Sequence, residues 1–170
     1  LDAVINGKKT CHSMHLVLQS GSNMLLKRMN RKYTRQIFYD TVERLCMACP
    51  DFTVTTDIIV GFPGETDIDF AETLEVMREV KFAKVHMFPY SERARTRAAT
   101  YKNKVPVDII KKRKQEVLRL SEKMTFELGN RFIGRKMMVL TEKTDAAHPG
   151  YIAGHTDNFL MVWGPNNGDR

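Results

Sequence analysis

Short apolar runs alternate along this chain with longer segments in which apolar residues recur every three or four positions. The runs Met14–Leu18, Phe52–Val60 and Lys84–Phe88 read as strands. The second is rich in β-branched residues and predicts burial on both faces, as in a parallel sheet. Helices fall between them. Ser22 caps a short one over Asn23–Met29. Thr34 caps a second that runs to about Ala48, with Phe38, Thr41, Val42 and Leu45 at helical spacing. A third spans about Asp67–Val80, with Phe70, Leu74, Met77 and Val80 on one face. Pro106 opens a long helix over about Val107–Phe132, striped by Ile110, Val117, Leu120, Met124 and Leu128. After Gly134 the pattern shortens to strands at Lys136–Thr141, Tyr151–Thr156 and Phe159–Trp163. The turn Thr156-Asp157-Asn158 joins the last two, where Asn tolerates positive φ.

Strands separated by helices are βα units of a parallel sheet, which places all strand exits on one edge. Those exits are polar loops: QSGS from Gln19, GFPGET from Gly61, and PYSERART from Pro89. In the second loop Gly61, Pro63 and Gly64 stop the strand, and Thr66 with Asp67 and Asp69 reads as a helix cap with an acidic first turn. Glycines there let backbone approach a ligand, although ordinary βα connections use the same residues. The ligand-facing candidates are Gln19, Ser20, Gly21, Asp57, Gly61, Pro63, Gly64, Glu65 and Tyr90. Glu65 reads either as a ligand contact or as a cap of the next helix. His86, inside the third strand, reads as a packing histidine. Three βα units cannot close an eight-stranded barrel, so a half or truncated barrel is expected, followed by a small β segment without a core of its own.

Composition and charge sharpen this picture. The net charge of +7 suggests an anionic partner, most often nucleic acid. Arg28, Arg31, Lys32 and Tyr33 combine cations with an aromatic ring, as do Arg93, Arg95 and Arg97 after Tyr90. That composition suits RNA phosphates and bases, and it also suits a solvated surface. Cys46 and Cys49 form a C-x-x-C, but there is no second Cys or His pair at a zinc-like distance and Pro50 marks a helix exit. No residue is assigned to a metal and none to catalysis. Three cysteines argue against a disulfide framework and for a reducing, cytoplasmic compartment. No apolar run approaches a membrane span. The chain opens on Leu1, inside what reads as a helix tail, and ends just after a strand. Both ends are expected to be cut.

Four blocks carry a resemblance: HLVLQSGSNMLLKRMNRKYT, TTDIIVGFPGETDIDF, FPYSERARTRAA and GHTDNFLMV. Together they resemble the radical-SAM methylthiotransferases, from about Cys11 to Trp163. HMFPYS with GHTDN is most similar to the tRNA branch acting on threonylcarbamoyladenosine beside the anticodon. The isopentenyladenosine branch is similar through MNRKYT. The branch modifying a ribosomal-protein aspartate usually has proline where Lys32 stands.

The resemblance implies an α/β fold. Residues 1–133 would be the C-terminal part of a partial radical-SAM (β/α) barrel, and residues 134–170 an incomplete, OB-like TRAM segment that binds RNA. It implies S-adenosylmethionine and [4Fe–4S] clusters in the intact enzyme. The cluster cysteines would lie in a missing N-terminal half, or in a separate chain, since Cys11, Cys46 and Cys49 do not match the C-x-x-x-C-x-x-C spacing. It implies tRNA as the partner and no turnover by this chain alone. Relatives usually have Pro where Val17 stands and Gly-Thr-Pro where Arg95-Thr96-Arg97 stands, so a loop built for glycine would be strained at Arg95. The competing reading is a non-enzymatic RNA-binding module.

Overall fold

The computed structural model describes residues 1–144, 148–166 and 168, with nothing stated for the side chains of 143 and 144. Its elements are α1 (Asp2–Ile5), β1 (Ser13–His15), α2 (Asn23–Arg28), α3 (Arg35–Ala48), β2 (Thr53–Val60), α4 (Asp67–Val80), β3 (Lys84–Pro89), a 3-10 turn (Arg97–Thr100), α5 (Val107–Asn130), β4 (Val139–Thr144), β5 (Tyr151–Thr156) and β6 (Met161–Pro165). The first three strands form a parallel sheet in the order β1-β2-β3. The last three form an antiparallel one in the order β4-β5-β6.

Polar side chains set the helix starts. Ser22 and Thr34 accept the backbone N–H groups of Leu25 and Ile37. Thr66 and Asp69 complete a reciprocal capping box on α4. Apolar stripes then bury the helices against the sheet. Phe38, Val42 and Leu45 of α3, Phe70, Leu74 and Met77 of α4, and Val117 and Met124 of α5 share one core with Val54, Ile58, Val60 and Val85. These twelve side chains, each worth about 1.5–3 kcal/mol on burial, are the main favourable contribution to this layer.

That core lies on one face of the sheet only, which corrects the expectation of a strand buried on both. Along β2, Val54, Thr56, Ile58 and Val60 are buried while Thr55, Asp57 and Ile59 are half-exposed. The polar members of TTDII supply the alternation of a one-faced strand.

The β1 ladder is also shorter than its apolar run. Beyond His15 the Thr56 hydroxyl intervenes, accepting Leu18 N–H at 3.0 Å and donating to the Leu16 carbonyl at 2.7 Å. Pairing resumes at Gln19, whose N–H donates to the Asp57 carbonyl and whose carbonyl accepts Ile59 N–H.

In the antiparallel unit β4 and β6 start later than the hydrophobic pattern suggests. Phe159, not Asn158, takes the left-handed conformation, at φ 64°. Asn158 is instead 1% exposed. Its side-chain amide donates to the Asp51 carbonyl at 3.1 Å, its side-chain carbonyl accepts the Thr156 hydroxyl at 2.6 Å, and its backbone carbonyl accepts Thr53 Oγ1 at 2.5 Å. His12 N–H donates to the Asp157 carbonyl at 2.9 Å, and Arg135 pairs with Asp51. The β5–β6 turn is therefore a peg set into the N-terminal edge of the parallel sheet, opposite the three polar loops.

Candidate functional site

At the exit of β1 the backbone is strained. Gln19 is 6% exposed and sits at φ 66°, a conformation uncommon for a residue other than glycine. Its Oε1 accepts Arg31 Nη2 at 2.8 Å. The next residues face inward. Ser20 is fully buried, with Oγ 3.3 Å from Thr73 Oγ1 and accepting Ser22 N–H. Gly21 lies so close to α4 that a Cβ would stand 2.4 Å from the Glu72 carbonyl oxygen. Their atoms join the β1 exit to α4, and Gln19 is the residue of this loop at the sheet edge.

The glycine loop is held from behind. Gly61 and Gly64 have φ of 76° and 85°. The Gly61 N–H donates to Glu65 Oε2 at 2.7 Å, and the same oxygen accepts Arg113 Nη1 at 2.7 Å. Arg113 Nη2 reaches Asp67 at 2.6 Å, and the guanidinium lies 5.3 Å from the Phe70 ring centre. Side-chain exposure is 1% for Glu65 and 7% for Arg113. Burial pushes the Glu65 carboxyl up against the downward pull of the Gly61 amide and Arg113. Glu65 is thus a lock between the loop and α5. Pro63 is buried within the same loop.

The third loop closes over the second. Tyr90 N–H donates to the Val60 carbonyl, and Gly64 N–H donates to the Asn103 carbonyl at 2.6 Å. Phe62 meets the Tyr90 ring at 5.3 Å and the Tyr101 ring at 6.2 Å, both edge-on. The Tyr90 hydroxyl is buried without a hydrogen-bond partner among the described residues. A buried, unpaired hydroxyl beside a glycine loop suits a polar ligand that would satisfy it.

Several cations expected on an RNA surface are turned toward this edge. Arg28 lies over the Tyr101 ring at 4.9 Å and against Gly64. Arg31 is held by Gln19. The Tyr33 hydroxyl donates to the carbonyls of Val17 and Leu18, so its ring braces β1, and burial raises its hydroxyl pKa. Lys32 stays exposed, donating to Asn30. Arg93, Arg95 and Arg97 are exposed.

Sequence reasoning passed over one cluster. On the helix-free face of the sheet His15 Nε2 lies 3.4 Å from Asp57 Oδ1, and His15 Nδ1 is 3.0 Å from Thr55 Oγ1. The His86 ring meets His15 edge-on at 5.9 Å and is exposed, so it is not the packing histidine expected. The alternation Thr53-Thr55-Asp57, paired through Asp57 with His86, was the available signal.

The cysteines do not gather here. Cys11 precedes β1, and Cys46 and Cys49 lie near the end of α3 and ahead of β2, on the opposite edge; all three are free. Among the described residues no group of three His, Cys, Asp or Glu could hold a metal ion. The described cysteines, Cys11, Cys46 and Cys49, do not form the ligand set of an iron–sulfur cluster. No helix among the described residues is long and apolar enough to cross a membrane.

Comparison with known proteins gives a consistent picture. The Radical SAM superfamily profile matches residues 1–77. The threonylcarbamoyladenosine tRNA methylthiotransferase MtaB of Chlamydia pneumoniae is 44% identical over 94% of this chain and 37% of its own length. The tRNA-2-methylthio-N(6)-dimethylallyladenosine synthase of Lachnoclostridium phytofermentans is 38% identical over 95% of this chain and 36% of its own length. The MtaB protein of Bacillus subtilis is 35% identical, over 95% of this chain and 36% of its length. The chain spans a little over a third of the length of these relatives.

Proposed function

We propose that this chain belongs to the radical-SAM methylthiotransferase family and is part of an enzyme converting N6-threonylcarbamoyladenosine, beside the tRNA anticodon, to its 2-methylthio derivative. The observation that carries this reading is the 44% identity with the Chlamydia pneumoniae MtaB protein along 94% of the chain. The strand-exit edge, with strained Gln19 beside the glycine loop, supports it.

In this reading the edge holds S-adenosylmethionine through Gln19, Asp57, the Gly61–Gly64 backbone and the unpaired Tyr90 hydroxyl. Bound there, that cofactor would supply a carbon radical in one half of the reaction and a methyl group in the other. Ser20, Gly21 and the Glu65–Arg113 pair keep the edge rigid from behind. Residues of a longer polypeptide, or of a second chain, hold the iron–sulfur clusters, so this chain alone does not turn over. The antiparallel unit is the start of a TRAM-like RNA-binding barrel. The free cysteines fit a cytoplasmic enzyme.

A second branch is favoured by one observation, the 38% identity with the dimethylallyladenosine synthase of Lachnoclostridium phytofermentans. Nucleoside mass spectrometry of tRNA separates the two. The source strain would be compared with one in which the polypeptide containing this chain is deleted. Loss of the methylthio group from threonylcarbamoyladenosine is expected. Loss from the isopentenylated nucleoside assigns the second branch. Unchanged tRNA refutes both and leaves a binding module.

A further inference from the structure

We propose that the segment Ser91–Thr100 is a preformed phosphate-binding loop, through which Arg93, Arg95 and Arg97 grip the backbone of the RNA substrate; this rests on the reading that the chain acts on tRNA. The ends of the loop are pinned together at the sheet edge. Tyr90 and Tyr101 both pack on Phe62, Arg28 covers Tyr101, and Gly64 N–H holds the Asn103 carbonyl. Lys104 closes the neck through Glu92 at 2.5 Å, which neutralises the acidic residue of the segment.

Inside the loop the polar groups are used locally. Thr96 donates both its N–H, at 3.3 Å, and its hydroxyl, at 2.8 Å, to the Arg93 carbonyl. Ala99 N–H donates to the Thr96 carbonyl, Tyr101 N–H to the Ala98 carbonyl, and the Thr100 hydroxyl to the Arg97 carbonyl. Such a loop is ordered before it meets a partner, so little conformational entropy is lost on binding.

What remains outward is three guanidinium groups. Each is exposed, and none has a hydrogen bond or ion pair among the described residues. Arg35, Arg113 and Arg135 are all paired with carboxylates. In the α2 region Arg28 and Arg31 are engaged at the sheet edge, whereas the three guanidinium groups of the loop are not.

Arg95 carries the argument furthest. It sits at φ 66° in the turn closed by Thr96, a conformation that favours glycine. A strained residue whose side chain makes no hydrogen bond or ion pair among the described residues is held for what it presents to a partner. A planar, always-charged fork suits a phosphate oxygen pair.

The test measures affinity of the 170-residue chain for tRNA by fluorescence anisotropy, as a function of KCl concentration. Wild type is compared with R93Q/R95Q/R97Q, R93K/R95K/R97K and R95G. Removing one arginine–phosphate pair should flatten the salt slope by about 0.7–0.9, so the glutamine variant, which removes three, should lose about 2.1–2.7 from the slope. The lysine variant should recover most of it. R95G should raise the melting temperature yet bind RNA more weakly, a pairing that a purely structural role would not give. Unchanged slope and affinity in the glutamine variant overturns the loop while leaving the chain an RNA binder. Wild type that does not bind tRNA at all overturns the RNA reading and the loop with it. Binding to phosphatidylglycerol vesicles that depends on the three arginines, with RNA binding intact, overturns it in favour of a membrane surface.

Discussion

Replacing Arg113 by methionine tests whether the glycine loop is held by a buried ion pair. Methionine fills a similar volume and keeps the contact with Phe70, so packing changes little. What changes is charge. Arg113 donates to Glu65 Oε2 at 2.7 Å and to the Glu65 carbonyl at 3.3 Å, with the Glu65 side chain 1% exposed. Removing one member of such a pair leaves a buried carboxylate without its cation and costs about 3–5 kcal/mol. For a chain of this length that lowers the melting temperature by roughly 6–20 °C.

The second half of the cycle carries the stronger claim. Glu65→Gln removes the charge but keeps an acceptor for Gly61 N–H. In the Arg113→Met background it should therefore restore stability rather than reduce it further, since neutral replacement of both partners is close to neutral. Acid should do the same. In Arg113→Met the folded Glu65 pKa lies above its unfolded value, so stability is highest below the unfolded pKa and falls as pH rises through the folded one. Urea denaturation of the four proteins at pH 7 and pH 5 decides the matter. A double variant less stable than Arg113→Met, or a single variant within about 1 kcal/mol of wild type, would refute the lock.

Other predictions follow from contacts of the same kind. Asn158→Ala should cost about 2–3 kcal/mol, because the Asp51 carbonyl loses the Asn158 donor and the Thr156 hydroxyl its 2.6 Å acceptor in a buried site; Trp163 fluorescence during urea unfolding should report the antiparallel unit loosening first, and coincident transitions would count against the peg. Gly21→Ala should cost about 1–3 kcal/mol, because its Cβ would stand 2.4 Å from backbone of α4. Gly129→Ala meets nothing within 4 Å and should stabilise α5 by up to about 1 kcal/mol, so equal effects on thermal melting would sink the packing argument. Arg135 bonds Asp51 and holds its carboxyl below the ordinary range. Burial alone would raise Asp69, but hydrogen bonds from Ser22 and Thr66 outweigh it and the net shift is downward. Both therefore stabilise the fold above an unfolded pKa of about 3.9, and that stability is lost as pH falls through their folded values. Urea midpoints should fall between about pH 5 and pH 2, and less steeply in Asp69→Asn.

Much of this protein is legible along the chain because its causes are local. Ser22, Thr34 and Thr66 start helices by accepting N–H groups three residues ahead, so caps and helix spans follow from short-range pattern. The apolar stripes of α3, α4 and α5 and the three strand exits follow as well, and with them the edge on which a site must lie. The direction in which each loop side chain turns is decided by partners far away in sequence. Glu65 faces inward because Arg113 waits on α5, and Ser20 and Gly21 are buried because Thr73 and the α4 backbone lie over them. Asn158 fills a gap beside Asp51 and Thr53 rather than shaping its own turn. His15 and Asp57 meet only through strand register. Cap and stripe depend on neighbours within a few residues, whereas burial of a polar atom depends on whichever distant group can satisfy it, and that is a property of the assembled fold.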